Sequence, residues 1–420
     1  MAQEDMPVDA AKRAEIIDSV TSTLNRAYVF PDVAKEMEQH VRELLKKHEY
    51  DTISSTNQFT QKLSEDLRSV SNDKHLNVSY FDDEYIEGYM NDTLTDEEEK
   101  RRLRMMAYEN HGFNKVERLP GNIGYVDFTA FEDAGIAGAT AIAAMNFVSN
   151  CDAVIIDLRQ NGGGSPSMIQ LISSYFFDEP VHLNSFFFRE NDTVHQFWTQ
   201  SYVPGEKMTD VELYVLTSSR TFSAAEEFTY NMKNLERATI VGETTGGGAH
   251  PVEGRFFANL NVGMSVPFGR AVNPVTGTNW EGTGIEPHIV VPQDSALLYA
   301  RLDALKKLKD KADDEELRDA LNWDYDNFSA LLSPKAVDES TLRTYAGVYG
   351  PRTVTLEDGI LFYQREGRPK YKMIPMSDDT FMFEEIDYFR LKFVTDEDGN
   401  PTEVNGLYKG GYVDISVRSN

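Results

Sequence analysis

The chain has 420 residues, too many for one ordinary core, and at about 150 residues per domain it divides into two or three. Hydrophobic residues make up 40% and charged residues 26%, with 24 Phe and 20 Tyr, which excludes wholesale disorder. A formal net charge of −28 repels phosphate backbones and anionic headgroups and argues against nucleic-acid and membrane-surface roles, while a lone cysteine, Cys151, excludes internal disulfides and zinc–cysteine clusters.

No run of about 18 apolar residues occurs, so no transmembrane segment is expected. The opening Met1-Ala2-Gln3-Glu4-Asp5 has neither the basic nor the apolar region of a signal peptide. It reads as a cytosolic start or as the point where a signal was removed, and the sequence does not choose. Residues 9 to 71 read as helices. Ile16, Ile17, Val20, Leu24 and Val29 recur at helical spacing, Pro31 breaks the run, Val33 to Leu45 resume it, and Ser55 or Thr56 caps a third helix carrying Phe59, Leu63 and Leu67. From Lys74 the period becomes two. His75, Asn77 and Ser79 alternate with Leu76, Val78 and Tyr80, which predicts a half-buried strand with His75 on its polar face. Residues 81 to 112 are acidic, then basic, around Thr95 to Arg102, and read as a solvated linking helix.

Beyond it, apolar runs alternate with helical ones: Ile123 to Phe128, a helix around Ile136 to Asn150, Ala153 to Leu158, a helix from Ser165, and Leu213 to Thr217. The unbroken run Ala153-Val154-Ile155-Ile156 predicts a strand covered on both faces, as in an α/β domain. After Pro292 a charged helical stretch runs from Ala296 to Leu321. From about residue 340 the pattern is all-β, with hairpin signals at Asp358-Gly359 and Asp398-Gly399.

Three segments in the α/β region carry candidate chemistry. Asp157 to Pro166 follows a buried strand and contains Gly162-Gly163-Gly164, with Ser165 and Pro166 placed as N-cap and first helical residue. Such a junction serves as a flexible turn or as an anion or oxyanion site. Thr217 to Glu226 leads a strand into a helix, and Ser223-Ala224-Ala225-Glu226 fits both a capping box and a nucleophile at a helix N-terminus. Gly242 to Pro251 is a second glycine-rich loop, with Trp280 to Pro287 downstream. The eight histidines show no HExxH pattern or dense ligand cluster, so no metal site is expected.

In order and spacing these segments resemble the tail-specific, or C-terminal-processing, serine peptidases, in the branch similar to interphotoreceptor retinoid-binding protein. The stretches that carry the resemblance are Tyr28 to Pro31, Asp66 to Leu76, Gly121 to Tyr125, Asp157 to Gly164, Ser218 to Glu226 and Gly242 to Pro251. The resemblance implies a crotonase-like α/β catalytic core with an N-terminal helical domain and a small C-terminal all-β domain. The expected division is 1–80, contributing His75; a charged linker 81–115, too short for a PDZ module; the peptidase core 116–295; a helical linker 296–335; and the β-domain 336–420. The family's usual Ser–Lys dyad places its lysine in the glycine loop, where this chain has Gly248. Members that use Ser, His and Glu instead resemble this chain at Asp73-Lys74-His75 and at Glu281 to Pro287. The resemblance therefore implies Ser223 as nucleophile, His75 as base and Glu281 as its orienting carboxylate, with His250 the rival base. Ala224 and Gly163 or Gly164 are the implied oxyanion donors. It further implies a peptide or unfolded-protein substrate and no cofactor, with a homo-oligomer left open; the acidic surface and the reading of a removed signal point to a periplasmic or extracellular setting, with the cytoplasm left open. Two other classes stay in view: a carrier of an apolar ligand such as a retinoid or fatty acid, and an interaction protein working through its C-terminal β-domain.

Overall fold

The structure is a computed structural model and describes residues 6–82 and 96–419. Helix α1 (Ala10–Ala27) begins where the Asp9 side chain accepts the Lys12 N–H at 2.8 Å. Helix α2 (Pro31–Lys46) has Pro31 in its first turn, where the missing N–H costs nothing. Ser55 caps α3 (Thr56–Ser71) by accepting from Gln58 N–H, and Asn72 ends it in the left-handed region. Strand β1 (Asn77–Tyr80) starts later than the alternation from Lys74 predicts. The charged stretch expected as a linking helix is in part helix α4 (Asp96–Tyr108), while its section 83–95 lies outside the described residues.

Strands β2 (Phe113–Leu119) and β3 (Ile123–Phe128), helix α5 (Ala134–Val148), strand β4 (Ala153–Asp157) and helix α6 (Pro166–Ser173) follow. Next come β5 (His182–Phe188), β6 (Thr193–Trp198), β7 (Glu212–Thr217), helix α7 (Ala224–Asn234) and β8 (Ala238–Gly242). Then β9 (Val252–Phe257), β10 (Val262–Pro267), β11 (Gly269–Val272) and β12 (Ile289–Val290) complete this region. A six-stranded sheet in the order β12-β8-β7-β4-β3-β2 forms the centre, with β4, β7, β8 and β12 paired in parallel. All five residues of β4 are buried, as its unbroken apolar run predicts. One face carries Val154 and Ile156 of β4, Met145 of α5, Ile169 and Ile172 of α6, and Phe228 of α7 in a single apolar cluster. Sequence reading missed the hairpin β5–β6, which pairs with β11 through Ser185 to Phe188.

Strands β1, β10 and β9 make a separate three-stranded sheet, with Asn77 opposite Ser265 and Tyr80 opposite Val262. The N-terminal helices pack Ile16, Leu24, Met37, Phe59 and Leu67 against Val262, Met264 and Val266 of that sheet. By contacts the chain forms two compact units, residues 1–117 with 124–296 and residues 118–123 with 297–420, so the N-terminal helices and the central sheet share one unit.

The second unit holds most of α8 (Gln293–Lys311), together with α9 (Glu315–Leu332) and α10 (Glu339–Tyr345). The expected single charged helix is two, because Asp314 accepts Leu317 N–H at 2.8 Å and starts α9 afresh. Strands β13 (Gly347–Tyr349), β14 (Arg352–Glu357), β15 (Ile360–Arg365) and β16 (Lys370–Lys372) form a four-stranded antiparallel sheet. Strands β17 (Ile374–Pro375), β18 (Thr380–Met382), β19 (Phe389–Thr395), β20 (Pro401–Tyr408) and β21 (Val413–Val417) form a five-stranded one. Asp358 and Gly359 both have positive φ and make the two-residue turn between β14 and β15. Asp398-Gly399 closes a longer loop, in which Asp396 accepts from Asp398 and Asn400 N–H groups.

Candidate active site

The Asp73-x-His75 motif is a local hydrogen-bonded turn. Asp73 Oδ1 accepts the His75 backbone N–H at 3.0 Å, the reach of an Asx turn, and Leu76 is fully buried just after it. His75 thus sits in the turn before β1, not on the strand itself. Asp73 is 1% exposed, and its other oxygen accepts from Tyr28 OH at 3.2 Å and lies 2.7 Å from His250 Nδ1. Both candidate bases therefore meet one buried carboxylate, His75 through its backbone and His250 through its ring.

The imidazole of His75 lies against the ring of Phe222, centroids 4.7 Å apart, next in sequence to Ser223. A Cβ built on Gly248 would stand 2.6 Å from His75 Cε1 and 2.2 Å from Phe222 Cζ. The space that a side chain at 248 requires is filled by the His75–Phe222 pair. A side chain at 248 would require the His75–Phe222 pair to shift.

Ser223 stands at the N-terminus of α7 with φ 54° and ψ −121°, a conformation an L-residue seldom adopts. Glu226, the fourth residue of the predicted capping box, is fully buried and does much more than cap. Its Oε2 accepts from the N–H groups of Ser223 (3.0 Å) and Gly248 (2.8 Å). Its Oε1 accepts from Gly247 N–H (2.7 Å) and Thr245 OH (2.5 Å). One carboxylate thereby ties the Ser223 turn to the glycine loop that passes His75. Burial pushes its pKa up, against the pull of those four donors.

On the other side of Ser223 lies the loop after β4. A Cβ on Gly163 would be 2.7 Å from Ser223 Cβ and 3.0 Å from Ala224 N, so only glycine admits this approach. Thr221 Oγ1 donates to Leu158 O at 2.8 Å, and Phe222 N–H to Asn161 O at 3.1 Å, fixing the two segments together. The Gly163 N–H, expected as an oxyanion donor, is engaged by Asn161 Oδ1 at 2.9 Å. Among the described residues no acceptor takes the N–H of Gly164 or of Ala224. Gly164, not Gly163, retains a donor to offer beside Ala224.

Glu281 comes from the downstream loop. Its Oε2 accepts Ala249 N–H at 2.6 Å and lies 3.5 Å from His250 Nδ1, and its Oε1 is buried without a partner. Trp280 Nε1 donates to Gly248 O at 2.8 Å and holds this loop against the glycine loop. Burial, then the charge of Asp73, raises the Glu281 pKa to about 7, with His250 opposing. Burial lowers the His75 pKa, Asp73 works against that, and His250 adds to it; the buried Nδ1 of His75 has no hydrogen-bond partner. Asp73, His75 and Glu281 each offer one nitrogen or oxygen within 4.8 Å of the others, close enough for a single cation. Asp73 and Glu281 already serve backbone and ring donors in the same place.

Asp73, Glu226, Asn161 and Tyr28 are thus the contributors that sequence reading did not assign. For Glu226 the signal was the Ser-x-x-Glu spacing; for Asp73 it was the Asp-x-His pair.

Two family models match the chain, Peptidase family S41 over residues 122–291 and the N-terminal domain of peptidase S41 in eukaryotic IRBP over residues 10–111. Among solved structures, a candidate peptidase from Parabacteroides merdae is similar at 19% identity, over 68% of this chain and 90% of that one, with a TM-score of 0.48. A lipoprotein from Streptococcus agalactiae matches at 15% identity, over 73% of this chain and 100% of that one, with a TM-score of 0.46. The photosystem II D1 C-terminal processing protease matches at 13%, over 68% and 94%, with a TM-score of 0.43. Among the described residues no helix is long and apolar enough to cross a membrane. Between them the two family matches contain the glycine loops, the Ser223 turn and the Asp73–His75 turn, and the chain carries a Peptidase family S41 domain together with that family's IRBP-type N-terminal domain.

Proposed function

We propose that the chain is a serine endopeptidase with a crotonase-like core that hydrolyses peptide bonds through a Ser223–His75–Glu281 acyl-enzyme mechanism. His75 accepts the Ser223 hydroxyl proton as the oxygen attacks the peptide carbonyl. It then donates that proton to the departing amine, and water repeats the sequence on the acyl-enzyme. The lowered pKa of His75 keeps the ring neutral and able to accept at neutral pH. Glu281 and Asp73 supply the negative charge that favours the imidazolium once it forms. The N–H groups of Ala224 and Gly164 receive the oxyanion, each such donor being worth roughly 10²–10³ in rate. The substrate is a peptide or an unfolded protein.

The observation that carries this reading is the position of the His75 ring, which occupies the room a side chain at 248 would need and lies on the residue before Ser223. Labelling by a serine-reactive fluorophosphonate, and hydrolysis of casein, should both disappear in Ser223→Ala with stability lowered by no more than about 1 kcal/mol. Labelling that persists in Ser223→Ala removes the nucleophile. A wild-type chain that is never labelled and retains an apolar ligand through purification is a carrier instead.

A further inference from the structure

The second unit contains a cavity of about 420 Å³ that the peptidase reading leaves unused. Its wall is aromatic. Tyr363 and Tyr371 are direct cross-strand partners on β15 and β16, and Tyr388 and Tyr408 line the same space. The ring of Phe389 continues the wall, with centroids 5.7 Å from Tyr363 and 5.0 Å from Tyr408. Arg365 follows Tyr363 by two residues on β15, so both project from the same face of the strand, and Arg368 stands just beyond the turn at Gly367. Both arginines line the cavity.

Among the described residues neither guanidinium forms an ion pair or donates a side-chain hydrogen bond, although Glu385 also lines the cavity and Glu366 adjoins Arg365 in sequence. Both arginines are exposed at the rim of the cavity. The neighbouring Arg352 shows the contrast: it is buried, bonded to Asp414 and Ser416, and has no spare charge to offer. Arginine presents a planar fork that matches a carboxylate in a bidentate manner, and tyrosine rings supply flat apolar faces with a hydroxyl at the edge. The volume lies within the range of pockets for single small molecules.

We infer that this cavity is a binding site for a small aromatic carboxylate, its ring held among Tyr363, Tyr371, Tyr388 and Tyr408 and its anionic group by Arg365 and Arg368. The inference is independent of the peptidase reading.

Titration calorimetry of the full chain with 2-naphthoate should show saturable binding of one equivalent. The neutral analogue 2-naphthylmethanol should bind at least tenfold more weakly, and 2-naphthyl phosphate separates carboxylate from phosphate recognition. In Arg365→Gln/Arg368→Gln, naphthoate affinity should fall at least tenfold while the weak binding of the alcohol is unchanged. Tyr371→Ala should weaken both. Fluorophosphonate labelling should be unaltered in both variants. Absence of saturable naphthoate binding to the wild type, or binding that the double arginine variant leaves intact, overturns the assignment. Tighter binding of the phosphate than of the carboxylate overturns the ligand class.

Discussion

Replacing Glu226 with Gln tests whether one buried carboxylate holds the Ser223 turn to the glycine loop. Each of its oxygens accepts two hydrogen bonds, from Ser223 and Gly248 on one and from Gly247 and Thr245 on the other. A glutamine must turn its NH₂ toward one of these pairs. Toward Oε2 it meets two backbone N–H groups, neither of which can accept. Toward Oε1 it meets one N–H and a hydroxyl that can rotate, although that hydroxyl also accepts Ile285 N–H at 2.8 Å. At least one buried N–H therefore loses its acceptor, about 1–3 kcal/mol, and the surviving bonds lose their charge-assisted part, about 1 kcal/mol each. Relief of burying an ion, visible in the raised pKa, offsets part of this. The net cost is roughly 2–4 kcal/mol, or roughly 30- to 1,000-fold in local opening. Hydrogen exchange followed by mass spectrometry over segments 222–227 and 245–249 should accelerate by that factor, with fluorophosphonate labelling slowed at least tenfold. Exchange in both segments within threefold of wild type would refute the reasoning, because four donors cannot keep one acceptor set when half of it becomes a donor.

The pH–rate profile should lose activity on the acid side at a midpoint below the ordinary histidine value if neutral His75 alone sets the limb, because burial lowers its pKa. If ionised Glu281 is also needed the limb moves up toward pH 7, and Glu281→Gln should then return it downward at reduced rate. Full activity in His75→Ala with none in His250→Ala would transfer the base to the glycine loop. Glu281→Gln should also be more stable than wild type above pH 7 by up to about 3 kcal/mol and equal to it near pH 4.5. The folded-state pKa of about 7 lies above the ordinary carboxyl value, so the penalty for ionising the buried group grows as pH rises through that interval; urea midpoints at pH 5 and pH 8 measure the difference. Gly248→Ala should cost about 1–3 kcal/mol and at least tenfold in rate, since its Cβ would overlap the His75 and Phe222 rings. A variant with wild-type rate would show that the His75 ring is free to move aside.

Much of this molecule is written in local patterns. The unbroken apolar run 153–156, the Ser55 cap and the Asp358-Gly359 turn each depend on neighbours within a few residues, and each appears where those patterns place it. The Asp73-x-His75 pair and the Ser223-x-x-Glu226 spacing are local too, so both pairs stood out in the sequence, although the alternation placed His75 on a strand where the structure has a turn, and the missing lysine at 248 was legible as a single letter. What those letters do to one another was not. Asp73 reaches His250 across 177 positions, and the Glu226 carboxylate collects Gly247 and Gly248 from a loop about twenty residues away. The Gly163 N–H is taken by the Asn161 side chain, which removes it as a donor in favour of Gly164. Strand starts at β1, and the edge hairpin β5–β6, follow pairing with distant strands instead of their own alternation. Hydrogen bonds and burial between segments far apart in the chain carry no period of their own, so the tertiary structure alone decides which buried carboxylate meets which imidazole, and which N–H stays free.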